Sequence, residues 1–199
     1  MSPILQSRAN ASAIGYGAFS VAAAAVKAFE SIQTVTVASG TSNEISFTSI
    51  PSTYEHLQIR LNARTNRSIQ AEANLLIRFN NDTGSNYAYH DLYGDGANAT
   101  ASAATTQTKI IANRLTGAGA DANIFGSIII DILDYKNTNK YKTVRAFGGV
   151  DRNGAGGISF SSGVWMNTNA ITEIDFTTIE GSFDFVQYSH FALYGIKGA

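Results

Sequence analysis

The chain has 199 residues, 44% of them hydrophobic, enough for one domain with a sizeable core, with room for a second, very small one. Only 15% are charged, against roughly 25% in an average soluble chain, and 14 Lys+Arg offset 15 Asp+Glu to a net charge of −1. That balance argues against a nucleic-acid binder or a polybasic membrane patch. No apolar run approaches the roughly 20 residues of a spanning helix, and the lack of Cys removes disulfides, thiolate ligands and a cysteine nucleophile.

Residues 1–30 differ from the rest. The stretch Ala22–Phe29 is rich in alanine, the best helix former, but too short to hold a helix alone in water. A signal peptide would need a more continuous apolar block than one interrupted by Gly15, Gly17, Ser20 and Lys27. The segment is therefore expected to be an extended or short-helical arm that orders against a partner chain or a larger assembly. Its candidate attachment residues are Ile4, Leu5, Ile14, Tyr16, Phe19, Val26 and Phe29. Burying each such side chain contributes roughly 1.5–3 kcal/mol, against about 1–2 kcal/mol per residue of backbone ordering.

From residue 31 to 199 the text has period two. Gln33–Ala38 and Glu44–Thr48 read as a hairpin around Gly40. His56–Arg64 alternates strictly, with Leu57, Ile59, Leu61 and Ala63 on one face, and predicts a strand with one buried side. Asn74–Asn80 continues with Leu75, Ile77 and Phe79 inward, and Tyr87–Tyr93 follows a dense turn signal over Asn80–Asn86. Residues 97–106 read as an Ala/Ser/Thr loop, and Gln107–Asn113 as a strand. Ile124–Tyr135 is apolar on both sides, as in a strand covered on both faces. Tyr141–Val150, Ile158–Met166, Ala170–Ile179 and Tyr188–Ile196 complete nine to eleven short strands with no helical crossover. The expected fold is all-β: an antiparallel sandwich of jelly-roll type, with Leu57, Ile59, Leu61, Ile77, Phe79, Ile130 and Ile132 in its core.

Chemistry is sparse. His56, His90 and His190 are far apart in sequence and no Gly-x-Ser-x-Gly elbow occurs, so neither a zinc set nor a serine triad is spelled out. Asp82-Thr83-Gly84-Ser85-Asn86, with Asp91 and Asp95 downstream, could offer oxygens to calcium, but Asx turns explain the same residues. Glu173 and Asp175 share one face of a strand and are the candidate carboxylate pair of a glycan-degrading enzyme, although ordinary solvation on the outer face of a sheet explains them more simply. Gly148-Gly149 and Gly154–Gly157 read as hairpin turns. Tyr87, Tyr89 and Tyr93 lie on one face and, with Trp165, are the candidate glycan contacts, the alternative being rings packed in the core or at a subunit contact. No cofactor is expected.

The run Phe47-Thr48-Ser49-Ile50-Pro51-Ser52-Thr53-Tyr54-Glu55-His56-Leu57-Gln58-Ile59-Arg60 resembles small virion structural proteins of tailed bacteriophages. Leu92-Tyr93-Gly94-Asp95-Gly96, Asp131-Ile132-Leu133-Asp134-Tyr135 and Phe191-Ala192-Leu193-Tyr194-Gly195-Ile196-Lys197 are similar to the same group, so that residues 45–197 are covered. The opening Met1-Ser2-Pro3-Ile4-Leu5 is similar to the start of phage appendage proteins, departing from it at Gln6-Ser7-Arg8. The resemblance implies a non-enzymatic component of the virion surface, a short fibre or spike on head or tail, with a capsid cement protein as the alternative. It implies capsid or tail subunits as partners and a homotrimer, and it carries no catalytic residues; a host-surface glycan is the partner that the candidate rings add. No nucleic-acid or membrane partner is expected.

Overall fold

The computed structural model describes residues 28–178 and 183–198. Among these residues every regular element is a strand, and within the sheets every pairing is antiparallel. The larger sheet runs β1 (Phe29–Thr36), β14 (His190–Ile196), β4 (His56–Ala63), β9 (Gly126–Leu133), β10 (Lys142–Asp151), β11 (Gly156–Trp165), β6 (Tyr87–Gly94), β7 (Ala99–Gln107). The smaller runs β3 (Glu44–Phe47), β12 (Ile174–Thr178), β5 (Glu72–Phe79), β8 (Ile110–Thr116). A short ribbon joins β2 (Thr41–Ser42) to β13 (Phe185–Val186).

One core joins the two sheets. Leu57, Ile59, Leu61, Ile77, Phe79, Ile130 and Ile132 are all buried in it, as the alternation predicts. Aromatic contacts cross between the layers: Phe176 of β12 meets Phe191 of β14 at 5.4 Å between centroids, and Phe191 meets Phe185 edge-on at 5.1 Å. The result is an antiparallel, sandwich-like arrangement of eight strands over four.

Several expectations need correction. The segments around Gly40 are not a hairpin, because β1 pairs with β14 while β3 pairs with β12 in the other layer. Residues 97–106 are not a loop, since Ala99–Gln107 is edge strand β7, paired to β6 alone. Its Ala/Ser/Thr side chains lack alternation because neither face is deeply covered. Strand β9 is covered on one side only, with Ile128, Ile130 and Ile132 buried and Ile129 39% exposed. Gly148-Gly149 lies inside β10, where a Cβ at 149 would sit 2.6 Å from the Gly157 carbonyl. Asp175 is buried instead of solvated: Ser46 Oγ donates to its Oδ1 at 2.8 Å and the Arg78 guanidinium lies 3.7 Å away. Glu173 precedes β12 and donates its backbone N–H to Asn80 Oδ1, so the expected carboxylate pair is a structural anchor beside a loop residue.

Two cations are caged by carbonyls in place of carboxylates. Arg64 donates to the carbonyls of Ala120, Asp121 and Ile124, tying down the loop before β9. The fully buried Lys142 ammonium donates to Asn137, Lys140 and Thr168, and burial holds its pKa below the usual lysine value.

The layers come closest where β8 crosses β10 and β11. There the Ser159 hydroxyl donates to Asn113 Oδ1 at 2.7 Å, the Asn113 amide donates to the Ser159 carbonyl at 3.2 Å, and the Ser161 hydroxyl donates to the Ala112 carbonyl. A Cβ at Gly163 would lie 2.4 Å from Ile110 Cγ2. The Gly163→Ala change should therefore lower stability in urea by about 1–3 kcal/mol through overpacking. Ser162→Ala on the opposite face should stay within about 0.5 kcal/mol of the parent.

Candidate functional site

The alternation on β6 is real, but it points inward. Tyr87 is fully buried, and its hydroxyl accepts from the Phe79 N–H at 3.2 Å and donates back to the Phe79 and Asp82 carbonyls, each at 3.3 Å. Trp165 of β11 is 1% exposed and stacks on Tyr87. Tyr89 packs half-buried against the core. Tyr93 donates its hydroxyl to Glu72 Oε1 at 3.0 Å, beneath the Arg114 guanidinium. Tyr87 and Trp165 are thus core residues and cannot be glycan contacts, because β6 and β11 turn these positions toward the smaller sheet.

Of the expected arm residues, Ile4, Leu5, Ile14, Tyr16, Phe19 and Val26 lie outside the described residues. Phe29 opens β1, its ring stacked on Tyr194 at 4.7 Å with the Arg60 guanidinium 5.4 Å from its centroid. His56 Nδ1 accepts the Asp134 N–H at 3.0 Å, and His190 is hydrogen-bonded to Thr36, so both make local contacts.

The loop that could have bound calcium has another task. Asp82 accepts the Trp165 indole N–H at 2.8 Å, the Gly84 N–H at 2.8 Å and the Asn86 amide at 2.9 Å, with the Asn167 amide at 3.4 Å. Its oxygens face N–H donors, an arrangement suited to a carboxylate and not to a cation. The Asn86 bond first, then those from Gly84, Trp165 and Asn167, hold its pKa down at about 2 against the opposing effect of burial.

The opposite face of the eight-stranded sheet carries what sequence reading missed. Cross-strand partners Ile129, Phe147, Phe160, Leu92 and Ala101 form one row across β9, β10, β11, β6 and β7. Phe147, Phe160 and Leu92 are 44%, 55% and 52% exposed, and the two Phe rings stack at 4.6 Å. Ile158 adds to the same ridge. One residue row away the pattern turns polar: Gln58, Asp131, Arg145, Ser162 and His90 are partners in sequence across the sheet. Shallow recesses of about 660 and 730 Å³ flank the ridge, the first floored by Gly148, Gly149 and Gly157.

The ridge runs out to β7, which is uncharged over all nine residues. The other edges carry the usual guards against further pairing. β1 has Glu30, β3 is four residues long with Glu44, and β8 has Arg114, whereas β7 carries no charge and only a bulge in its pairing with β6. An exposed apolar row ending at an uncharged edge has the make-up that protein contacts favour. The signal for it was present in the sequence, in the outward positions of β10 and β11, where Phe147, Ile158 and Phe160 stand between glycines and serines.

Asp82 anchors the single tryptophan. Its folded pKa of about 2 lies below the ordinary 3.8, so its stabilisation is present above pH ~4 and is lost as pH falls toward 2. Asp82→Ala should cost on the order of 2 kcal/mol at neutral pH. It should also flatten the stability loss between pH 4 and 2, as followed by Trp165 fluorescence. No protein-family model matches the chain, and no curated protein matches it.

Proposed function

We propose that the chain is a non-enzymatic structural subunit of a tailed-bacteriophage particle, a short fibre or spike on head or tail whose N-terminal arm attaches it. The observation that carries this reading is the exposed ridge of Ile129, Phe147, Phe160 and Leu92, continuous with an uncharged sheet edge. Singly exposed apolar residues are ordinary, but a contiguous stacked row with a polar flank is the make-up of a protein interface, apolar at its centre and polar at its rim. The wording of residues 45–197 supports the particle assignment, and with it a homotrimer. The chain's low charge supports close packing between copies.

A capsid cement role is the second reading, favoured by one feature: the ridge lies on the broad face of the sheet and not at a strand end. A broad contact face suits clamping between flat neighbours as well as lateral packing in a fibre.

Incorporation into particles tests the proposal. Phe29 and Glu30 are part of β1, where Glu30 accepts from Tyr54 and pairs with Lys197, so the truncation must stop at Lys27. A chain lacking residues 2–27 should keep its β circular dichroism yet be missing from particles. Phe147→Asp with Phe160→Asp should likewise fold and be depleted. Normal copy number for both would show that neither the arm nor the ridge holds the subunit, and the proposal would fail.

A further inference from the structure

Away from the ridge, on the smaller sheet's side of the molecule, three arginines line a single recess of about 380 Å³. Arg67 comes from the connection between β4 and β5, Arg114 from β8, and Arg152 from the turn between β10 and β11. Gln70, Glu72 and Asn74 complete the polar wall.

Two of the guanidiniums are held in place. Arg114 lies over the Tyr93 ring at 4.1 Å and donates to Asp91 Oδ2 at 3.3 Å. Arg67 lies over Phe183 at 5.4 Å and donates to the Glu72 carbonyl at 3.1 Å. Stacking fixes each fork's plane and leaves other N–H groups unspent. Arg152 has no side-chain hydrogen bond or ion pair with any described residue, and the same holds for the amides of Gln70 and Asn74. The lining therefore sets three cations against one carboxylate, Glu72, itself held by the Tyr93 hydroxyl, and Asp91 compensates Arg114 from behind. The recess keeps a surplus of positive charge, which a bound oxyanion meets.

From this we infer that the recess binds an acidic sugar residue: its carboxylate or sulfate meets the arginine forks and its hydroxyls meet the polar wall. The fork geometry matches planar or tetrahedral oxyanions in bidentate fashion. Glu72 decides the ligand class, because a carboxylate in the wall repels a bare polyanion but accepts hydroxyl protons. The recess has the size for one sugar unit. A chain of net charge −1 offers no basic track for a nucleic-acid backbone. The host-surface contact expected at Tyr87, Tyr89, Tyr93 and Trp165 is thus relocated, with Tyr93 serving as the support behind Arg114 and Glu72. The inference rests on the particle-surface reading only for where the sugar comes from.

The test uses the purified full chain and is independent of particle location. Glucuronic acid, glucose and sodium sulfate are titrated separately while arginine Nε–H resonances are followed by NMR. Glucuronic acid should bind in the millimolar range and at least tenfold more tightly than glucose, with sulfate competing. Arg152→Ala should weaken glucuronic acid about tenfold, the loss of one charge-assisted bond, with an unchanged melting temperature because that side chain has no partner. Arg60→Ala, on the other face, should leave binding unaltered. Equal affinity for glucuronic acid and glucose, sulfate binding without glucuronic acid binding, or a full response in Arg152→Ala would each overturn the assignment. None of these results bears on whether the chain assembles into a particle.

Discussion

The close approach of β8 to β10 and β11 governs this molecule. Two backbones are brought near enough for serine hydroxyls on one layer to bond a carbonyl and an amide on the other. Only Gly, Ala and Ser fit beneath β8, so the inward positions of β11 near it are Ser159, Ser161 and Gly163. The alternate positions face outward and are free to be large. They are Ile158 and Phe160, next to Phe147 of β10. Tight packing inside and an apolar ridge outside are thus two faces of one inverted stretch of sheet.

That inversion explains what could and could not be read from the sequence. In β4 the apolar residues are the inward ones, and the buried positions follow from period two without further information. In β11 the same period holds with polarity reversed. Alternation identifies two faces but not which of them is covered. The same ambiguity leaves Tyr87 and Trp165 open between a glycan surface and the core, and the structure takes the core: their hydroxyl and indole N–H are satisfied inside by backbone carbonyls and Asp82. Strand β7 has no alternation to detect, because an edge with both faces exposed places no demand on side-chain polarity. The buried Asp175 was illegible for another reason: long side chains of Arg78 and Lys109 fold across the outer face of the smaller sheet, and their reach is not a property of local sequence.

Charge is used sparingly, and a few charged groups work inside the fold. Arg64 and Lys142 fix loops through carbonyl cages, Asp82 fixes the tryptophan, and Arg78 compensates Asp175. The arginines of the small recess are different in kind: Arg114 is paired with Asp91, but Arg67 and Arg152 have no carboxylate partner among the described residues. A chain with 15% charged residues that gathers three cations around one recess has concentrated its electrostatics at a place suited to an anion. The apolar ridge and the arginine recess lie on different faces, so the proposed assembly and ligand contacts would not compete for surface.

A photo-crosslinking amino acid in place of Phe160, irradiated in assembled particles, tests the central claim most directly. The ridge account predicts a covalent adduct between position 160 and a second polypeptide of the particle, either another copy or a neighbouring subunit, and none from the same probe at Glu44 on the outer face of the smaller sheet. Adducts from position 44 with none from position 160 would contradict it and move the contact surface to the other side of the sandwich.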